Sequence, residues 1–133
     1  MRVLLDSNVW LSILTTDGFC RQMWRRARGT CQFHGSRDIL AEVEEKLRVK
    51  FGFSPRHVRI MTLFVERQIH VVEVSSTTTA CEDPDDNRIL AATIDAGCSY
   101  LVTGDSDLLR LNQFQAVTIV TPRQFLEATL PRL

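Results

Sequence analysis

The sequence predicts a three-layer α/β domain spanning residues 1–133, built on a parallel sheet of about five strands. Three observations carry that expectation. Short apolar runs alternate with amphipathic stretches of helical length along the whole chain. The first run, Arg2-Val3-Leu4-Leu5, is apolar without alternation, as in a strand covered on both faces. No linker and no internal repeat interrupts the pattern, and 133 residues suit one domain with one core.

Each element follows from local chemistry. After the strand at 2–5, Asp6-Ser7-Asn8 stops the run and residues 9–14 begin a helix. Residues 18–28 read as a helix with Arg21, Arg25 and Arg28 on one face, ended by Gly29. Residues 30–33 are the second strand. Ser36 is an N-cap for a helix to about Val49, whose apolar stripe is Ile39, Leu40, Val43 and Leu47. Pro55, suited to a first helical position, opens a helix to about Glu66. The β-branched run at 69–74 is the third strand, and 75–82 is a polar loop. Asp83-Pro84 caps a helix ending near Ala96 and Gly97. A strand at 100–103, a helical turn at 106–110 and a strand at 117–120 follow. Thr121-Pro122 with Gln124 then has the capping-box pattern of one more helix.

Composition narrows the function classes. The apolar stretch at the start is broken by Asp6 and Asn8, against both a membrane span and a signal peptide, so a cytoplasmic location is expected. The four cysteines form no Cys-x-x-Cys pair and the three histidines do not cluster with them, which points to reduced thiols rather than zinc. The zero net charge hides segregation. Residues 18–68 hold eleven Lys/Arg against five Asp/Glu, whereas residues 73–107 hold one Arg against eight acids. A cation in the acidic stretch and polyanion phosphates on the basic one would suit that division.

Four acids stand where predicted strands or loops end: Asp6, Glu42, Asp86 and Asp105. Ligands of open parallel sheets bind outside the strands' carboxyl ends, and carboxylates gathered there form an oxygen site for Mg²⁺ or Mn²⁺. Each acid alone could simply cap a helix; caps do not require several to meet at one edge. The helix at 36–49 leaves a choice open, because periodicity does not separate Glu42 from Glu44.

Val-Leu-Leu-Asp-Ser-Asn-Val at 3–9, Ile-Leu-Ala-Glu-Val at 39–43, Asp-Pro-Asp-Asp-Asn-Arg-Ile-Leu at 83–90 and Tyr-Leu-Val-Thr-Gly-Asp-Ser-Asp-Leu-Leu at 100–109 resemble the successive motifs of PIN-domain nucleases. The likeness is strongest to the VapC-like toxins of toxin–antitoxin systems and spans residues 2 to about 125. It implies strand order 3-2-1-4-5 and a four-acid site of Asp6, Glu42, Asp86 and Asp105, thereby selecting Glu42. It also implies Asp107 as an accessory metal ligand, with Asn8 and Thr103 orienting the carboxylates. The activity implied is metal-dependent endoribonucleolytic cleavage of RNA, restrained by a cognate antitoxin. The alternative is a catalytically idle PIN scaffold that binds RNA or a protein.

The chemistry fits those residues. Phosphodiester hydrolysis needs an activated water and charge stabilisation, and a carboxylate-held metal supplies both. Without metal, crowded acids should show raised pKa values, and Asp6→Asn should stabilise the metal-free protein. Arg21, Arg25 and Arg28 are candidates for RNA phosphate contacts, with a partner-facing helix as the plainer reading. Phe51, Phe53, Met61 and Phe64 exceed what one helix face needs for a core, and suit an antitoxin groove or a homodimer contact. A haloacid-dehalogenase-type phosphatase would need an acid where Asn8 stands.

Overall fold

The computed structural model of the chain describes residues 1–129; the last four residues of the expected domain lie outside them. Six strands form one sheet in the order β3-β2-β1-β4-β6-β5. They are β1 (Arg2–Leu5), β2 (Gln32–Gly35), β3 (Ile69–Val71), β4 (Tyr100–Val102), β5 (Gln113–Phe114) and β6 (Val117–Val120). All pairings are parallel except β5 with β6. The strand at 117–120, fifth in the sequence reading, is β6, so the order 3-2-1-4-5 holds. An antiparallel edge strand, β5, is added to it.

The helices are α1 (Ser7–Thr15), α2 (Phe19–Ala27), α3 (Arg37–Val49), α4 (Pro55–Gln68), α5 (Pro84–Asp95), α6 (Ser106–Leu109) and α7 (Pro122–Thr129). From β1 the chain steps to β2 and β3 in one direction, then returns through α5 to β4 on β1's other side. Right-handed crossovers therefore put α5 on the face opposite α1, α3 and α4, giving three layers. The reversal between β1 and β4 is the sheet's topological switch point.

Val3, Leu4 and Leu5 are completely buried, as expected for a central strand. Trp10 of α1 is also fully buried and meets Phe33 edge-on, with ring centres 6.1 Å apart. Removing an aromatic of this size from such a core costs about 3–5 kcal/mol. Ser36, Ser54 and Asp83 cap α3, α4 and α5 through their side chains, and Thr121 and Gln124 exchange the capping-box hydrogen bonds.

The main departures from the sequence reading concern β2, β3 and β5. β2 lies at 32–35 rather than 30–33, because the amides of Thr30 and Cys31 still bond Ala27 O at the end of α2. β2 runs on through Gly35, which pairs with Val71 of β3. β3 ends at Val71 rather than residue 74. The Val72 amide makes a last bond to Gly35 O, and Ser75 and Ser76 then turn away to bond the Asp95 carboxylate. β5 was not expected; it follows Asn112 and precedes Gln115, both at positive φ without being glycine.

Candidate metal centre

Two adjacent strands and one helix start deliver the acids to a single edge. β1 ends at Leu5, so Asp6 sits at the carboxyl end of the sheet, and its amide bonds Val102 O of β4. Asp6 is 3% exposed and caps α1: Oδ1 accepts from the Ser7 amide at 2.7 Å. Oδ2 accepts from the Thr103 hydroxyl at 2.7 Å and the Asn8 amide nitrogen at 3.2 Å. The same Thr103 oxygen accepts from the Asp105 amide at 3.0 Å. One hydroxyl thus fixes both carboxylate-bearing loops. Asn8 does likewise, since its Oδ1 accepts from the Gly104 amide at 3.1 Å. Asn8 thus stands as an orienting amide at the position where a haloacid-dehalogenase-type phosphatase would need an acid.

Asp86 enters from the first turn of α5, where Asp83 caps the helix and Pro84 takes the first position. It is buried. Asp105 caps α6, accepting from the Asp107 amide at 2.9 Å. One carboxylate oxygen from each of Asp86, Asp105 and Asp107 lies within 4.8 Å of the other two. Asp6 and Glu42 stand outside that tight group. Asp6 is nevertheless close enough for its charge to act on Asp86, and those of Glu42 and Asp105 act on Asp6.

The protonation equilibria register the crowding. Burial raises the Asp86 pKa to about 6, helped by the charges of Asp105, Asp83 and Asp6 and by a hydrogen bond with Asp105. Burial also raises the Asp6 pKa, against the lowering effect of the Thr103 and Ser7 hydrogen bonds, and the Glu42 and Asp105 charges add to the rise. The metal-free protein therefore holds acids strained toward protonation, as the sequence led us to expect. The Asp6→Asn expectation needs revision. Asp6 Oδ2 accepts from both Thr103 and Asn8 and Oδ1 accepts from Ser7, so an asparagine, with one acceptor oxygen, would give up at least one of these hydrogen bonds. Asp86→Asn is the cleaner relief of charge.

Glu42 lies on α3, half-buried, with Lys46 Nζ 2.9 Å away. Glu44 faces the other way, into a groove with Arg48, Pro55 and Arg59. Of the two, Glu42 is the one whose charge acts on Asp6. Lys46 was missed, although Glu followed four residues later by Lys is a readable helical pair. Asn87 was missed too. Its side chain bonds both the amide and the carbonyl of Cys81, at 2.8 Å each, pinning the loop beside Asp86.

The arginines of α2 do not line the acid mouth. Arg21 donates to Ile13 O at 2.8 Å and Leu14 O at 3.3 Å, closing the end of α1. Arg25 and Arg28 border a groove of about 480 Å³ with Trp24, Ile60, Met61 and Phe64. Arg28 stacks over Trp24 at 5.2 Å. Phe53, Met61 and Phe64 pack against the core, whereas Phe51 stays outside it.

The donor set is all oxygen, and Asp6, Asp86 and Asp105 have no Lys or Arg ion pair among the described residues. Buried carboxylates without a cation are costly, so a hard divalent ion of the Mg²⁺ or Mn²⁺ type fits the residues present. A family model described as PIN domain matches residues 2–107. The chain belongs to the PIN-domain family. Its fold is similar to a chain of the VapBC2 crystal structure from Rickettsia felis, a complex bound to a DNA fragment from its promoter. The TM-score is 0.67 at 10% identity, over 90% of this chain and 97% of that one. No curated protein sequence matches the chain. No described helix of this PIN domain is long and apolar enough to cross a membrane.

Proposed function

We propose that this PIN domain is a Mg²⁺- or Mn²⁺-dependent endoribonuclease, the toxin of a cytoplasmic toxin–antitoxin pair. The observation that carries the reading is the oxygen cluster of Asp86, Asp105 and Asp107 near the buried Asp6 at the switch point, with Asp6, Asp86 and Asp105 lacking a basic partner among the described residues. A bound divalent ion would supply a water of lowered pKa and positive charge toward the phosphoryl oxygens. Asp86 and Asp105 would hold that ion, with Asp107 completing the oxygen set. Asp6, fixed by Ser7, Asn8 and Thr103, would hold its inner side. Glu42, kept in place by Lys46, would face the attacking water across the mouth.

RNA rather than DNA is the substrate that the resemblance to VapC-like toxins implies. The same likeness supports an antitoxin partner, and the groove of Trp24, Ile60, Met61 and Phe64 suits it. That groove is apolar with an arginine rim, so an apolar segment carrying acidic residues would fill it, as would a second copy of the chain in a homodimer. For Arg25 and Arg28 we favour this protein contact over RNA phosphates. Replacing both with Gln should leave the salt slope of RNA binding unchanged; a slope reduced by about one per arginine would restore the phosphate role.

Incubation of the chain with a panel of structured RNAs plus Mn²⁺, Mg²⁺ or EDTA tests the activity. Cleavage with either metal, none with EDTA and none by Asp105→Asn is the expected pattern. Cleavage that survives both EDTA and Asp105→Asn would reject the metal centre. Saturable RNA binding with no cleavage under any condition would establish the idle scaffold instead.

A further inference from the structure

We propose that His34 of β2 and His70 of β3 form a two-histidine site for a borderline divalent transition ion of the Zn²⁺ type, separate from the acids. An ion held there would tie the short edge strand β3 to the rest of the sheet. The site does not rest on the nuclease reading.

The sheet builds the pair from residues far apart in the chain. His34 and His70 are register partners on adjacent parallel strands, so their side chains leave the sheet on the same face. Phe33 meets Trp10 of α1, and its neighbour His34 therefore projects from the opposite face. The two ring centres are 5.1 Å apart, with planes 32° apart. An ion about 2.0–2.1 Å from an imidazole nitrogen stands about 3.2 Å from that ring's centre. Two imidazoles sharing it at a tetrahedral angle would have centres about 5.2 Å apart. The pair is spaced for a shared ion.

A second observation comes from His34 itself. Its Nε2 is buried and has no hydrogen-bond partner. A buried polar atom left unmet is costly; contact between the rings does not satisfy it, and coordination would. His70 is exposed, which gives an ion a way in from solvent. Burial, the neighbouring His70 and the charge of Arg2 all lower the His34 pKa, so at pH 7.5 its ring is neutral and offers a nitrogen lone pair. Arg2 is the opposing charge. Its Nη1 donates to Ala96 O at the C-terminal end of α5, where the helix's negative pole offsets it. Imidazole suits Zn²⁺, Ni²⁺ and Cu²⁺, whereas Mg²⁺ and Mn²⁺ prefer the oxygens of the acids. The two sites thus sort ions by ligand type, with water filling the positions that two histidines leave open.

The test is a Zn²⁺ titration of the full chain at pH 7.5, followed by NMR of the imidazole rings, with Mg²⁺ in excess to occupy the acid centre. The His34 and His70 signals should move together and saturate. His57, bonded to Ser54 at the start of α4, should stay unchanged. His70→Ala, a change at an exposed position, should keep the fold by circular dichroism and weaken the Zn²⁺ response of His34 at least about tenfold. The same titration in Asp105→Asn should give the wild-type response, which separates the pair from the acids. Affinity should fall as the pH drops to 5.5, because protons compete for the imidazole nitrogens. Unmoved His34 and His70 signals would overturn the site. So would a His57 shift of equal size, wild-type affinity in His70→Ala, loss of the response in Asp105→Asn, or an affinity independent of pH.

Discussion

Two sets of acids occupy the same edge of the sheet and are treated differently. The inner set, Asp6, Asp86 and Asp105, has no basic partner among the described residues; Asp6 and Asp86 are buried, with pKa values raised by burial and by like charge. The outer set, Glu42, Asp85 and Asp107, is more exposed, and each member has an ion pair one helical turn away, with Lys46, Arg88 and Arg110. The fold neutralises carboxylates readily where water reaches them. It leaves the inner ones uncompensated, where the electrostatic cost is greatest. That difference gives the inner set the stronger demand for an external cation; Asp107, already paired with Arg110, would add an accessory ligand.

Variants should separate the two sets. The largest effect is on turnover: Asp86→Asn or Asp105→Asn should lower metal-dependent kcat at least about a hundredfold, whereas Arg110→Gln should change it less than about fivefold. Equal losses would erase the distinction. Next comes stability. Asp86, with its pKa raised to about 6, binds more protons folded than unfolded between about pH 4 and 6. The metal-free protein should therefore lose stability as pH rises through that window, by up to about 3 kcal/mol from this group. Asp86→Asn should flatten the profile and raise the metal-free Tm at pH 7.5; denaturant melts over pH 4–8 read both. A flat wild-type profile would mean that the inner acids are not strained. The smallest effect belongs to the outer set: Arg88→Gln should cost no more than about 1 kcal/mol, measured by urea unfolding.

The inner set was more legible in the sequence than the outer. Asp6 directly follows one apolar strand, Asp105 stands just beyond another after Thr103-Gly104, and Asp86 follows a Pro-bearing helix start, so a shared edge could be read from these junctions. Glu42 could not be chosen over Glu44 by periodicity, because both lie off the apolar stripe; the family likeness was needed. The ion pairs within α3, α5 and α6 follow i,i+3 and i,i+4 spacing and could have been read. The reach of Arg88 on α5 to Asp38 at the start of α3 links two elements distant in the chain, which no local pattern encodes. β5 escaped because Asn112 and Gln115 take positive φ without the glycines that announce a turn. Val72 and Val74 have strand-like side chains, yet Ser75 and Ser76 draw that segment off the sheet toward Asp95.

Electron paramagnetic resonance titration of Mn²⁺ into the metal-free chain at pH 7.5 addresses the inner set most directly. Saturable binding is expected in wild type and in Asp38→Asn, with loss in Asp86→Asn and in Asp105→Asn. Mn²⁺ binding that is absent from wild type, or equally strong in all four proteins, would contradict a cation site made by these acids.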